Sequence, residues 1–423
     1  MERVELAIPV PEMFQGRPVT NRGVHLQDFG YHDVFMDNHE EWTNRLKAMS
    51  MSWVVACTEG DAFVKSDAAA TYMEAGCIPI LRFTPSGMPG VFTQMAAVEE
   101  YVALCAVYGI PPLIIYLNEP YDDREWKDGQ KPDDLDEFWD VWTTCWRKGA
   151  RIIIDLGGIV GIPDGPCFDR NPFPYLLGGF EDDFAQGRVF YAGHYYGLNR
   201  PGNYPFDDAQ RLGTPLTQAE YLALLDDFAD PETYPDWHIP PLDELNAERE
   251  AKKNANLRPD IPKAQGGDPV CFNGWMMAEK FMADCLGYYV PHAMTEGGYT
   301  PKAIAGTTPE TFEKRYLKPT WHQVAARTVE MFGRPDVPMF ALCPWLLAST
   351  YLGGGGWEED AWFGGGGGWL LYGFKKPVAT ALEGGQQPPC DVEQALANAQ
   401  QALGRASAAS QAVTQALGNL GNC

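Results

Sequence analysis

The sequence predicts an α/β protein built as a (β/α)8 TIM barrel, with a long insertion after the sixth strand and a helical C-terminal tail. Three observations predict it. Apolar runs that close on polar or turn-forming residues recur eight times, each reading as a strand buried on both faces of a parallel sheet. Helix-like stretches separate them, the alternation expected of repeated βαβ units. The length of 423 residues lies beyond one ordinary small domain but within reach of a single α/β barrel with insertions.

The first two runs, 23 to 29 and 51 to 57, flank a helical stretch at 38 to 49. The third, 77 to 83, follows a helix at 67 to 75 with Asp67 at its N-cap. A helix at 94 to 108 leads to the fourth run, 111 to 118. Residues 133 to 148 read as a helix capped by Asp133, and 151 to 156, with its three consecutive isoleucines, reads as the fifth strand. A helix at 173 to 185 precedes the sixth run, 188 to 195. Helices at 270 to 286 and 320 to 333, the latter capped by Thr320, alternate with the last two runs, 289 to 295 and 338 to 345. The barrel unit is expected over 1 to 388.

Three segments depart from the repeat. Residues 198 to 268 are polar, with clusters such as Pro240-Pro241-Leu242-Asp243-Glu244; a loop of that length is expected to be a functional lid or partly disordered. Two glycine runs, Gly353 to Gly356 and Gly364 to Gly368, enclose Trp357, Glu358, Glu359, Asp360, Trp362 and Phe363. They lack a phosphate-loop signature, so the segment reads either as a flexible loop carrying aromatics over the barrel mouth or as a structural glycine loop. Residues 389 to 423 are rich in Ala and Gln. Apolar positions from Val392 to Leu420 follow alternating spacings of four and three, either an oligomerisation or attachment seam over 391 to 420 or a helix lying on the barrel's flank.

Composition narrows the function. Hydrophobic residues make up 45% of the chain and charged residues 21%, enough to build a core. A formal net charge of −25 opposes binding to nucleic acid or anionic membranes and suits a neutral polysaccharide. No apolar stretch reaches the roughly 18 residues of a membrane span. The N-terminal Met1-Glu2-Arg3-Val4-Glu5 does not read as a signal peptide, leaving a cytoplasmic, virion-associated or otherwise exported location open. Ten cysteines contain no CxxC pair. Cys57, Cys77, Cys105, Cys145, Cys271, Cys285 and Cys343 sit in apolar contexts and are expected reduced in the core, Cys423 exposed, with no structural zinc and no cofactor. The acids Asp122-Asp123 and Glu358-Glu359-Asp360 read as surface charge in preference to calcium ligands.

The chemistry lies at the strand ends. In a parallel barrel the carboxyl ends of the strands face the ligand site, and Glu119 closes the fourth run while Glu296 closes the seventh. Two facing carboxylates are the minimum equipment for hydrolysing a glycosidic bond. Arg82, a charge on the third run, is expected to pair with Glu119 or Glu296 or to bind substrate. Trp345 at the eighth strand end and Trp357 offer indole faces for a sugar. His25, Asp28 and Glu59 also fall near strand ends. There is no Gly-x-Ser-x-Gly elbow, no His-Glu-x-x-His and no dinucleotide fingerprint after the first strand.

Asn118-Glu119-Pro120 resembles the Asn-Glu-Pro of clan A glycoside hydrolases, the cellulase- and mannanase-like (β/α)8 enzymes. The resemblance runs from about residue 20 to 385 as a pattern of strand ends and matches no particular subfamily. It implies that Glu119 is the acid/base, Asn118 binds the sugar 2-hydroxyl and Glu296 is the nucleophile of a retaining mechanism on a β-linked glycan. Ala192-Gly193-His194-Tyr195-Tyr196 is similar to the clan's His-x-Tyr. By it, Tyr196 would hydrogen-bond the nucleophile, His194 would touch substrate or the acid/base, and Tyr195 would lie with them in the substrate site. An ionised Glu296 and a protonated Glu119 in a drier setting are then expected. The rival expectation is a non-catalytic carbohydrate-binding or structural barrel assembled into a larger particle through its tail.

Overall fold

The structure, a computed structural model, describes residues 1–26, 39–58, 69–83, 87–163, 170–227, 240–299, 316, 321–345, 362 and 377–384. The chain divides into two compact units, Met1–Glu383 and Gly384–Cys423. The first is a barrel. Its strands are β1 (Gly23–Leu26), β2 (Trp53–Thr58), β3 (Ile78–Phe83), β4 (Leu113–Tyr116), β5 (Ile159–Pro163), β6 (Val189–Tyr196), β7 (His292–Gly298) and β8 (Ala341–Leu342). They hydrogen-bond in sequence order, every pair parallel. The ring closes where β8 meets β1: Arg22 bridges Leu342, Leu342 N donates to Asn21 O (2.7 Å) and His25 N donates to Pro344 O (3.0 Å). Closure leaves the sheet without an exposed edge.

The helices include α1 (His39–Ala48), α2 (Met95–Tyr108), α3 (Leu135–Asp155), α4 (Phe173–Leu176), α5 (Glu181–Ala185), α6 (Asp208–Leu212), α7 (Gln218–Asp227), α8 (Leu242–Ala251), α9 (Trp275–Leu286) and α10 (Trp321–Phe332). No helix among the described residues is long and apolar enough to cross a membrane. Residues 69 to 74 are also helical.

One strand differs from its sequence expectation. Residues 151 to 156 end α3 and are not the fifth strand. Phe138, Trp139, Trp142, Cys145, Trp146, Gly149, Ala150, Ile153 and Ile154 are buried along one stripe at helical spacing, so the three isoleucines continue a helix begun seventeen residues earlier by position. Gly157, at φ +92°, turns the chain out of it, and the strand follows at Ile159–Pro163. The cap is Asp134, not Asp133; its carboxylate accepts from Asp136 N (3.0 Å) and Glu137 N (2.9 Å). The helix expected at 173 to 185 is two, α4 and α5, broken at Gly178-Gly179, with Gly179 at φ +81°. Asp67 and Thr320 lie outside the described residues.

The described residues of the insertion, 198–227 and 240–268, fold around α6, α7 and α8, and its ends are fastened. Arg200 pairs with Asp268 (2.9 Å), Tyr204 donates to Asp268 (2.8 Å), and Tyr316 donates to Asp207 (2.8 Å). Asp122 accepts from Arg124 N and from its guanidinium, while Asp123 pairs with Lys131, so both acids are engaged by cations as surface charge. Cys77, Cys105, Cys145, Cys271 and Cys343 are buried free thiols and Cys285 is half-buried. The glycine runs with Trp357, and the heptad tail, lie outside the described residues.

Candidate active site

Two backbone irregularities aim the carboxylates. At the end of β4, Leu117 adopts φ +73° while its N–H still donates to Phe83 O (3.0 Å), so the chain leaves the sheet at a sharp angle into Asn118 and Glu119. A branched-chain residue in the left-handed region is strained, and the sheet contact holds it there. Between β6 and β7 the register runs Gly193 opposite Met294, then His194 opposite Glu296, which leaves Thr295 as an extra residue. This bulge sets Glu296 across from His194. Gly297, at φ +121°, follows; a Cβ there would lie 2.4 Å from Tyr195 O, so only glycine fits.

The side chains converge. Arg82 Nη1 donates to Glu296 Oε2 at 2.9 Å, and the Tyr196 hydroxyl donates to Glu296 Oε1. His194 Nδ1 lies 2.8 Å from Glu119 Oε1, and its Nε2 lies 3.4 Å from Arg82 Nη2 and 3.8 Å from Glu296 Oε2. Arginine only donates, so Nε2 accepts and Nδ1–H donates to Glu119. The imidazole thereby links Glu119 to the Arg82 guanidinium that holds Glu296. One ligand atom each from Glu119, His194 and Glu296 lies within 4.8 Å of the others. The trio has the residue types of a metal site, but the Arg82 charge already sits on Glu296 and both imidazole nitrogens are engaged, so a cation fits poorly.

Electrostatics follow from these contacts. Burial alone would push the Glu296 carboxyl up; the Arg82 guanidinium and the Tyr196 hydrogen bond hold it well below the usual carboxylate range. Burial and the neighbouring Glu296 and Glu119 keep the Tyr196 phenol protonated far above its ordinary value. His25 is fully buried with Nε2 3.9 Å from Glu296 Oε2, and burial together with Arg82 keeps it neutral. Its ring lies 4.5 Å from that of Trp345, whose backbone N–H donates to Gly297 O (2.9 Å).

The structure thus brings Arg82, Asn118, Glu119, His194, Tyr196, Glu296 and Trp345 together with His25. Tyr195 is a correction. Side chains alternate along β6, so His194 and Tyr196 face inward while Tyr195 turns to the helical layer and meets His292 Nε2 at 2.7 Å. The expectation of a drier Glu119 is also reversed: Glu296 is 7% exposed and Glu119 is half-buried. Asp28, Glu59 and Trp357 lie outside the described residues. Glu125 escaped the sequence reading; its carboxylate accepts from Asn118 Nδ2 at 2.9 Å, and no spacing in the sequence marks it.

No family model matches the chain, and no curated protein matches it. Among solved structures, it is similar to the catalytic domain of a mannanase from Streptomyces sp. SirexAA-E at 11% identity, covering 86% of this chain and 85% of that one, with a TM-score of 0.37. A β-mannanase from Streptomyces thermolilacinus with mannohexaose is similar at 10% identity, 82% and 83% coverage and a TM-score of 0.35. A β-glucuronidase from Parabacteroides merdae is similar at 8% identity over 87% of this chain and 38% of that one, with a TM-score of 0.41. The (β/α)8 barrel itself rests on the strand pairing and closure described above, not on these likenesses.

Proposed function

We propose that the chain is a retaining glycoside hydrolase in which Glu296 is the nucleophile and Glu119 the acid/base. The observation that carries the reading is the approach of the two carboxylates: an oxygen of each lies within 4.8 Å of the other. Oxygens that approach this closely leave little room for the water that inverting enzymes hold between carboxyl groups about 6.5 to 9.5 Å apart, and favour the retaining arrangement, in which the groups stand about 5 to 5.5 Å apart.

In the proposed reaction Glu296 attacks the anomeric carbon while Glu119 protonates the departing glycosidic oxygen. The product is a glycosyl ester on Glu296. Glu119, now ionised, takes a proton from water as that water attacks the anomeric carbon and releases Glu296. Arg82 and Tyr196 support the nucleophile's role by holding its charge and fixing both oxygens. His194 orients Glu119, and Trp345 offers an indole beside the cavity for a sugar face.

The test is hydrolysis of a panel of nitrophenyl glycosides and polysaccharides by the wild type, Glu119→Ala and Glu296→Ala. Both variants should lose activity. Azide should then restore Glu119→Ala with a product of retained configuration, because a small anion needs no base to attack the ester. An unimpaired Glu119→Ala or Glu296→Ala would sink the reading.

A further inference from the structure

We infer that Glu125 is a positioning residue for this site: by taking the NH2 end of the Asn118 amide, it leaves the amide oxygen as the group Asn118 offers a bound sugar. Asn118 Nδ2 donates to Glu125 Oε1 at 2.9 Å, and a carboxylate can only accept, so the amide cannot turn over. Asn118 Oδ1 is buried and has no hydrogen-bond partner among the described residues. A buried acceptor left unmatched in the protein is one that a ligand can satisfy.

The placement is rigid. Glu125 ends the turn Asp123–Glu125, which the Asp122 carboxylate caps through Arg124 N (2.8 Å). Glu125 O accepts from Met88 N (2.8 Å), and the next residue, Trp126, donates from its indole to Pro120 O (2.8 Å). The segment from Asn118 to Trp126 is thereby tied at both ends. Burial pushes the Glu125 carboxyl above its ordinary range, against the Asn118 hydrogen bond and the Arg82 charge, with Glu119 and Asp122 adding to the rise. A proton taken up there would make Glu125 a donor and release the amide.

The orientation matters for glycoside cleavage and, to that extent, rests on the reading above. As positive charge grows on the sugar ring, the hydroxyl beside the anomeric carbon becomes a stronger donor. An amide oxygen backed by a carboxylate therefore gains more in the transition state than in the ground state.

The experiment compares wild type with Glu125→Gln and Glu125→Ala. On a glycoside the wild type cleaves, kcat should fall about tenfold and KM change less than about twofold. The loss on moving to the 2-deoxy glycoside should be smaller in Glu125→Gln than in wild type. In protein labelled with 15N-asparagine, the Asn118 side-chain NH2 resonance, assigned with Asn118→Asp, should move on acid titration in wild type and not in Glu125→Gln. A resonance indifferent to residue 125, or equal 2-deoxy penalties in the two proteins, would overturn the inference. The resonance is read without substrate, so its failure is separate from failure of the glycosidase reading, which the Glu119 and Glu296 variants decide.

Discussion

Arg82 and Glu296 form an ion pair inside the barrel, 2.9 Å apart, from residues 214 positions apart in the chain, with Arg82 2% exposed. Truncating one member of such a pair leaves the other charge buried and unmatched. Arg82→Met should therefore destabilise the fold by about 3 to 5 kcal/mol. Urea unfolding at pH 7 measures it, and an unfolding midpoint equal to wild type would show that the pair is not formed.

The depressed Glu296 carboxyl has a pH signature. Unfolded, Glu296 titrates near about 4.3; folded, it titrates lower, held there by its partners against the effect of burial. Its stabilising contribution is therefore complete above the unfolded value and is lost as pH falls through the folded one. The stability difference between wild type and Glu296→Gln should be constant from pH 7 to about 5 and shift steadily in favour of the variant below about pH 4. A difference independent of pH down to 3 would contradict an ionised Glu296.

Tyr196 supplies a neutral donor to that carboxylate. Removing the hydroxyl in Tyr196→Phe withdraws a hydrogen bond from a charged acceptor, worth about 1.5 to 3 kcal/mol. Under the glycosidase reading, kcat/KM should fall by roughly ten- to hundredfold. The acid limb of its pH profile should move upward, because the carboxylate gains proton affinity.

Much of this arrangement was legible in the sequence, for reasons that also explain the misses. Glu119 and Glu296 were visible because a strand buried on both faces announces itself as an apolar run, and the polar residue closing it must sit at the rim. Arg82 was visible as a charge inside such a run. The run at 151 to 156 misled because three consecutive isoleucines are compatible with either period; the stripe from Phe138 onward, read to its end, favours the helix. The bulge at Thr295 and the left-handed Leu117 are set by packing between strands distant in sequence, so no local pattern carries them. Glu125 was hidden for the same reason, since only the folded turn at Asp123–Glu125 brings it back to Asn118.

Gly297 is required by its surroundings. Its φ of +121° disfavours any side chain, and a Cβ would strike Tyr195 O at 2.4 Å. Gly297→Ala should lower stability by about 2 to 4 kcal/mol through combined backbone strain and overpacking. Thermal unfolding would show it, and a melting temperature within a degree or so of wild type would refute the close approach.

Tyr195 separates this structure from the sequence-level grouping of His194, Tyr195 and Tyr196. Its hydroxyl lies 2.7 Å from His292 Nε2, outside the barrel interior. Burial, with a smaller effect of Arg3, brings the His292 imidazole down to about 3, so it is neutral at pH 7 and its Nε2 shares a hydrogen bond with the Tyr195 phenol. Tyr195→Phe leaves that buried nitrogen unmatched and should cost about 1 to 3 kcal/mol of stability. On any glycoside that wild type cleaves, the same variant should keep kcat and KM within about twofold, in contrast to the loss expected for Tyr196→Phe. The two phenylalanine variants thus test the inward and outward faces of one strand: a Tyr195→Phe enzyme as impaired as Tyr196→Phe would mean that β6 presents residue 195 to the substrate after all.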